Sequence, residues 1–186
     1  MRHLLLPLVA TAAFAAPGLA LAQSADIALD ATVTQSCVLG SPAVSELDLG
    51  DLTGADGRIA ASLAGASPSA VTTIDVAYCN TPSILSLDAT PLGLEIAPGY
   101  STPAGFSRLI TYDATLTGWP ATLVDRPLVG DSAKSTTASA AHAAPALQLS
   151  ISRLEALNAA GTAANATAVI EAGTYSGAII IGVAVQ

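Results

Sequence analysis

The stretch AGTYSGAIIIGVAVQ, Ala172 to Gln186, decides how the chain is read. Taken by alternation, Tyr175, Ile179, Ile181, Val183 and Val185 share one face, with Gly177 between them. Ser176, Ala178, Gly182, Ala184 and Gln186 fall opposite, and Ile180 is the exception. Period-2 patterning with β-branched residues predicts a strand. No turn and no further strand follow it, so a hydrophobic strand is left with one side uncovered.

Working back from that strand, the same signature recurs. VSELDLGDL (Val44–Leu52), AVTTIDVAYC (Ala70–Cys79), SILSLDA (Ser83–Ala89), the weaker Leu92–Ile96, RLITYDATL (Arg108–Leu116) and Ala146–Ile151 are candidate strands. SADIALDATVTQSC precedes them, with Ile27, Leu29, Ala31 and Val33 on one face and Asp26, Asp30, Thr32 and Thr34 on the other. Short runs separated by Gly, Pro, Ser, Thr and Asp predict an all-β sandwich. Helical patterning is scarce; RLEALNA (Arg153–Ala159) offers a turn or two. DSAKSTTASAAHAAP (Asp131–Pro145) and Thr162–Ala168 are small, polar and biased, and read as mobile surface loops or insertions.

The first 22 residues read as a cleaved secretion leader. Arg2 and His3 precede the apolar LLLPLVATAAFAAPGL, and Ala20-Leu21-Ala22 fits a small-x-small cleavage site, which makes Gln23 the mature N-terminus. Residues 23–36 then form an N-terminal segment and 37–186 one domain, long enough for a real core. After Arg2 is removed, five basic residues face fourteen acidic ones. Such a balance disfavours nucleic acid and anionic lipid as partners. The apolar run Gly177–Val185 is too short for a transmembrane helix, and so few aromatics cannot supply the two girdles of a membrane barrel. Cys37 and Cys79 are the only cysteines, and in an exported chain a single pair predicts a disulfide.

Few residues are equipped for catalysis. His142 is the one histidine of the mature chain and lies in the Ala/Ser/Thr-rich stretch, where a solvated side chain is expected. No HExxH, Gly-rich phosphate loop or GxSxG elbow is present, and no cofactor or metal motif is found. Glu46, Asp48, Asp51 and Asp56 lack the EF-hand pattern. They read as a solvated acidic edge, the first two on the polar face of a strand and Asp56-Gly57 as a turn. Asn165-Ala166-Thr167 is a glycosylation sequon by pattern only. Trp119, in TGWP, is expected to plug the end of a core rather than stack on a ligand.

Several pieces taken together resemble a known family. They are Ser36-Cys37-Val38, Leu47-Asp48-Leu49-Gly50, Val76-Ala77-Tyr78-Cys79, Ile110-Thr111-Tyr112 with Leu116, and Ala172-Gly173-Thr174-Tyr175-Ser176 before the last strand. In this order, within a two-cysteine frame, they resemble the spore coat protein U-like domain shared with major subunits of archaic chaperone–usher pili. The resemblance runs from about Ala25 to Gln186. It departs in the loop around Asp131–Pro145 and in ending on Gln186, where the family often ends on an aromatic residue.

The resemblance implies an immunoglobulin-like sandwich that lacks its final strand and is completed by a donor strand from another subunit, a form of β-strand addition. Carried onto this chain, the donor is Asp26–Thr34, inserting Ile27, Leu29, Ala31 and Val33, and the acceptor edge is Tyr175–Val185. The implied partners are neighbouring copies or related subunits, a periplasmic chaperone and an outer-membrane usher. The implied destination is a cell-surface fibre reached through the periplasm. Burial of the four donor side chains would contribute on the order of 5–10 kcal/mol before ordering costs. The 14 residues from Gln23 to Ser36 span roughly 46 Å when extended. In the usual arrangement they must also supply the subunit's own first strand. Either the donor is very short, or the segment pairs within its own domain and the protein is a self-contained secreted or surface-coat sandwich.

Overall fold

The computed structural model describes residues 29–96 and 101–186. The leader at 1–22 and the donor residue Ile27 lie outside the described residues. The chain separates into a unit ending at Val33 and a domain of Thr34–Gln186. Of the first unit, residues 29–33 are described: they belong to no strand, and Leu29 (92%) and Val33 (82%) are almost fully exposed, with Ala31 exposed between them. Over residues 29–33 the alternation is therefore not realised as a strand.

The domain is all-β, with no helix among the described residues. Its strands are β1 (Cys37–Leu39), β2 (Ala70–Ile74), β3 (Ala77–Cys79), β4 (Ser83–Ala89), β5 (Leu92–Leu94), β6 (Phe106–Ser107) and β7 (Leu109–Thr117). They continue as β8 (Leu123–Asp125), β9 (Lys134–Ala138), β10 (His142–Ala144), β11 (Leu147–Ala156), β12 (Val169–Ile170), β13 (Tyr175–Ser176) and β14 (Ile179–Val185). The largest sheet runs β13-β5-β7-β11-β2, with β8 added beside β7. Two three-stranded sheets, β14-β4-β9 and β1-β3-β10, and the parallel pair β12-β6 complete the architecture of a β-sandwich.

Alternation puts one face of each long strand in a common core. Leu85 and Leu87 of β4, Ile110, Tyr112, Ala114 and Leu116 of β7, and Leu147, Leu149 and Ile151 of β11 meet there. Each large aliphatic side chain buried this way contributes about 1.5–3 kcal/mol. Two inward hydroxyls are paired to backbone: Thr111 Oγ1 donates to Pro127 O at 2.8 Å, and Tyr112 Oη donates to Thr90 O at 2.8 Å. On the outer side, Arg126 bridges β7 and β11, reaching Asp113 at 2.8 Å and Glu155 at 2.6 Å. The predicted disulfide is formed, joining Cys37 and Cys79 where β1 and β3 lie directly opposite each other.

Several sequence expectations are corrected. Arg153–Ala159 is not helical, because β11 continues through it to Ala156. A bulge between Ser152 and Glu155, with Arg153 at φ 51°, places one extra residue on β11 opposite β7. The buried phase shifts from Leu147, Leu149 and Ile151 to Leu154 and Ala156. That shift creates the three-residue spacing Ile151–Leu154, which imitates a helix. The amides of the bulge point elsewhere: Arg153 N donates to Gly65 O and Leu154 N to Leu63 O, both at 3.0 Å.

The stretch Asp131–Pro145 is not a loop; it carries β9, paired to β4, and β10, paired to β3. Its Ser, Thr and Ala side chains are poor core formers, which hid strands held mainly by their ladders. His142 is not solvated but half-buried in β10, edge-on to the buried Trp119 ring at 4.7 Å. Trp119, 5% exposed, plugs the core as expected. Ala70–Cys79 breaks at Asp75-Val76, so that β2 and β3 serve different sheets. Val44–Leu52 forms no strand. Its carboxylates make local turns instead, Asp48 Oδ1 accepting from Gly50 N at 2.8 Å and Asp51 Oδ1 from Thr53 N at 2.9 Å. Asp56 does the same for Arg58 N at 3.2 Å, in the expected turn.

Candidate functional site

The closing stretch that opened the sequence reading is two elements. Tyr175 and Ser176 pair with Leu94 and Gly93 in the large sheet, whereas Ile179–Val185 pairs along its whole length with Ala89–Ser83 of β4. The chain changes sheets at Gly177-Ala178. A Cβ on Gly177 would sit 3.1 Å from Leu92 Cδ2 and 3.2 Å from Thr90 O, so a larger residue would force its neighbours to give by a few tenths of an ångström. Ala178 is tied to Thr90 at both its amide and its carbonyl. Tyr175 pins the other side, its hydroxyl donating to Glu171 O at 2.9 Å and lying 3.3 Å from Ser107 O. Desolvation, helped by the Glu171 charge, pushes the Tyr175 phenol up to about 12.

Beyond the crossing, β14 is the outer strand of its sheet: β4 covers one side, and among the described residues no strand pairs with the other. Ile179, Ile181 and Val183 turn toward the core and stay only half-buried, while Ile180 points out at 65% exposure. Beside them opens a cleft of about 1200 Å³. Its floor is core side chains from several strands, chiefly Ile74, Tyr112, Leu149 and Ile151. Ile179 and Ile181 form one wall, and the segment Val44–Thr53 forms the other.

That second wall has an unusual character. Leu47, Leu49 and Leu52 pack half-buried against the core, but among the described residues Ser45–Asp51 makes no backbone hydrogen bond to another element of the domain. The cleft is thus bounded, among the described residues, by one strand with an unpaired ladder side and one stretch that forms no strand. Its rim is acidic, with Glu46, Asp48, Asp51 and Glu171 among the lining residues and no lysine or arginine. Among the described residues, no group of three or more His, Cys, Asp or Glu is placed to hold a metal ion.

Of the residues named from the sequence, Tyr175, Ile179 and Ile181 come together at the cleft. Val183 is half-buried beyond it, and Val185 is exposed at 38% near the strand's end. Leu29, Ala31 and Val33 are exposed and contribute to no strand. Alternation missed the leucine wall's role, because a segment without a ladder has no periodic partner to reveal it. It also missed Asn80. The Asn80 side chain donates from Nδ2 to Thr34 O and accepts at Oδ1 from Ser36 N, both at 2.8 Å. Comparison of the chain with protein-family models and with curated proteins gave no match.

Proposed function

We propose that this chain is a structural subunit of a surface fibre of the spore coat protein U-like, archaic chaperone–usher kind. Its immunoglobulin-like sandwich would be completed by the N-terminal segment of a neighbouring copy. The observation that carries this reading is that β14, unpaired on one side among the described residues, lines a cleft of about 1200 Å³ with Ile179 and Ile181. An unpaired apolar edge is an aggregation hazard, and β14 has none of the usual Lys or Pro blunting. The length conflict at the N-terminus also eases. Among the described residues the first strand begins at Cys37, so residues 29–33 are not consumed by it. Leu29 and Val33 remain unburied, as a donor waiting for a partner requires. Head-to-tail donation does not close on itself and yields a filament. In this reading the protein is exported, is held by a periplasmic chaperone, passes an usher, and is not an enzyme.

A second reading, a self-contained secreted sandwich that binds a ligand or coats the cell, is favoured by the leucine wall. Leu47, Leu49 and Leu52 already shield part of the core from within the chain. One experiment separates the two. Gln23–Gln186 is produced in an oxidising compartment without a chaperone. The fibre reading expects aggregation, relieved by a peptide covering Gln23–Gln35 but not by one with Ile27→Asp and Leu29→Asp. A monomer that is stable and unfolds cooperatively would sink the fibre reading and leave the second.

A further inference from the structure

The N-terminal segment joins the domain through an unusually dense set of contacts. Asn80 brackets the chain from both directions: Nδ2 donates to Thr34 O and Oδ1 accepts from Ser36 N. Its own amide donates to Ser36 O at 3.1 Å. Next to it, Gln35 Nε2 donates to Thr81 Oγ1 at 3.3 Å. One residue further on, Cys37 is covalently bound to Cys79, the neighbour of Asn80. Every one of these contacts lands on Cys79-Asn80-Thr81, at the end of β3.

The strand that follows explains why such a joint is needed. β1 has three residues, paired among the described residues to β3 alone. A pull arriving at Ser36 would load the end of β1 first, and ladder bonds loaded at one end break one after another. A covalent bond at the first pair, Cys37 to Cys79, removes that route. β3 in turn is the middle strand of its sheet, flanked by β1 and β10, so force delivered there is shared on both sides.

We propose that Asn80 and the adjoining disulfide form the force-carrying joint between the N-terminal segment and the domain. Asn80 is a positioning residue that holds the chain to the domain at Thr34 and Ser36. This rests on the fibre reading, in which the segment of one copy is held by the next and tension along the fibre must cross Thr34–Cys37.

The test uses the full chain expressed in the cells that make it, as wild type, Asn80→Ala and Asn80→Asp. Amide hydrogen exchange at Ser36 reads the joint, and fragment length after controlled shearing of fibres reads tension. Asn80→Ala should exchange Ser36 about fivefold faster, the worth of one ordinary hydrogen bond. Asn80→Asp keeps the acceptor for Ser36 N and should restore its protection, although it cannot donate to Thr34 O. Fibres of Asn80→Ala, and wild-type fibres treated with reductant, should shear to shorter pieces. Unchanged Ser36 exchange in Asn80→Ala would overturn the joint. Faster exchange with unchanged fragment length would overturn its role in carrying tension. A wild-type chain that forms no fibre, with Ser36 still protected, would overturn the fibre reading and the tension with it, so the failures are told apart.

Discussion

Thr90 holds Ala178 at both ends of a single residue. Its amide donates to Ala178 O at 2.9 Å, its hydroxyl accepts from Ala178 N at 2.8 Å, and the hydroxyl lies 3.3 Å from Ala178 O. This grip fixes the point at which the chain leaves the large sheet for β4, and so sets where β14 begins. Thr90→Val keeps the shape and removes the hydroxyl. It should lower stability by about 1 kcal/mol, because Thr90 is exposed and water can replace part of the loss. Urea denaturation measures it, and Gly177→Val at the adjoining crossing should cost more, about 1–3 kcal/mol.

The two kinds of leucine in this fold should respond differently to truncation. Leu85 is fully buried in β4, and Leu85→Ala should cost about 3 kcal/mol or more. Leu49, half-buried in a wall without ladder bonds, should cost about 1 kcal/mol as Leu49→Ala. Equal losses in equilibrium unfolding would mean that the wall is as integral to the core as β4.

Removing the disulfide should weaken the domain broadly. Cys37 and Cys79 close a loop with a sequence separation of 42, and constraining it is worth about 4 kcal/mol in the loop-entropy model. Intact mass under non-reducing conditions should fall two hydrogens short of the reduced value. The double variant Cys37→Ser, Cys79→Ser should unfold at a markedly lower urea concentration.

Asp125 and Tyr175 both make stability depend on pH, in the same direction. Asp125 is buried, and desolvation raises its pKa above the ordinary carboxylate range, against the hydrogen bond from Ala89 N and the nearby Lys134. The folded state therefore holds this proton more tightly than the unfolded chain does. Stability falls as pH rises from the ordinary carboxylate range through the raised value. Tyr175 repeats the pattern at alkaline pH, losing stability between about 10 and about 12. Asp125→Asn should flatten the acid-side slope and Tyr175→Phe the alkaline one, both read from melting temperature against pH.

Charge sets an expectation for assembly. The cleft rim carries Glu46, Asp48, Asp51 and Glu171, while the proposed donor carries Asp26 and Asp30. Like charges slow the encounter, and salt screens them over about 10 Å at 0.1 M. Polymerisation of the mature chain should accelerate as sodium chloride is raised from 10 to about 150 mM. A rate that falls with salt would mean that attraction, not repulsion, governs docking.

How far the fold was legible depended on whether a strand kept one phase and one partner. β4 and β7 were plain in the sequence because Leu85 and Leu87, or Ile110, Tyr112, Ala114 and Leu116, alternate without interruption. The 70–79 run looked like one strand, since nothing in its alternation marks the change of sheet at Asp75-Val76. The closing stretch misled in the same way at Gly177-Ala178, although Ile179 and Ile181 were placed on the correct face. The cleft floor was not legible, because Ile74, Tyr112 and Ile151 come from three strands whose adjacency only the topology supplies. Asn80 was hidden for another reason: a bracket on two backbone groups leaves no pattern of residue types.

The bulge in β11 has a consequence best seen by imagining its removal. Losing the single codon for Arg153 would leave Ile151, Leu154 and Ala156 in one unbroken alternation, and the strand itself would scarcely register the deletion. The loss would surface at the turn around Leu63–Gly65, whose carbonyls are engaged only because the extra residue aims two amides at them. One residue acts here as a frame offset: silent in the strand that carries it, and read out by a distant turn.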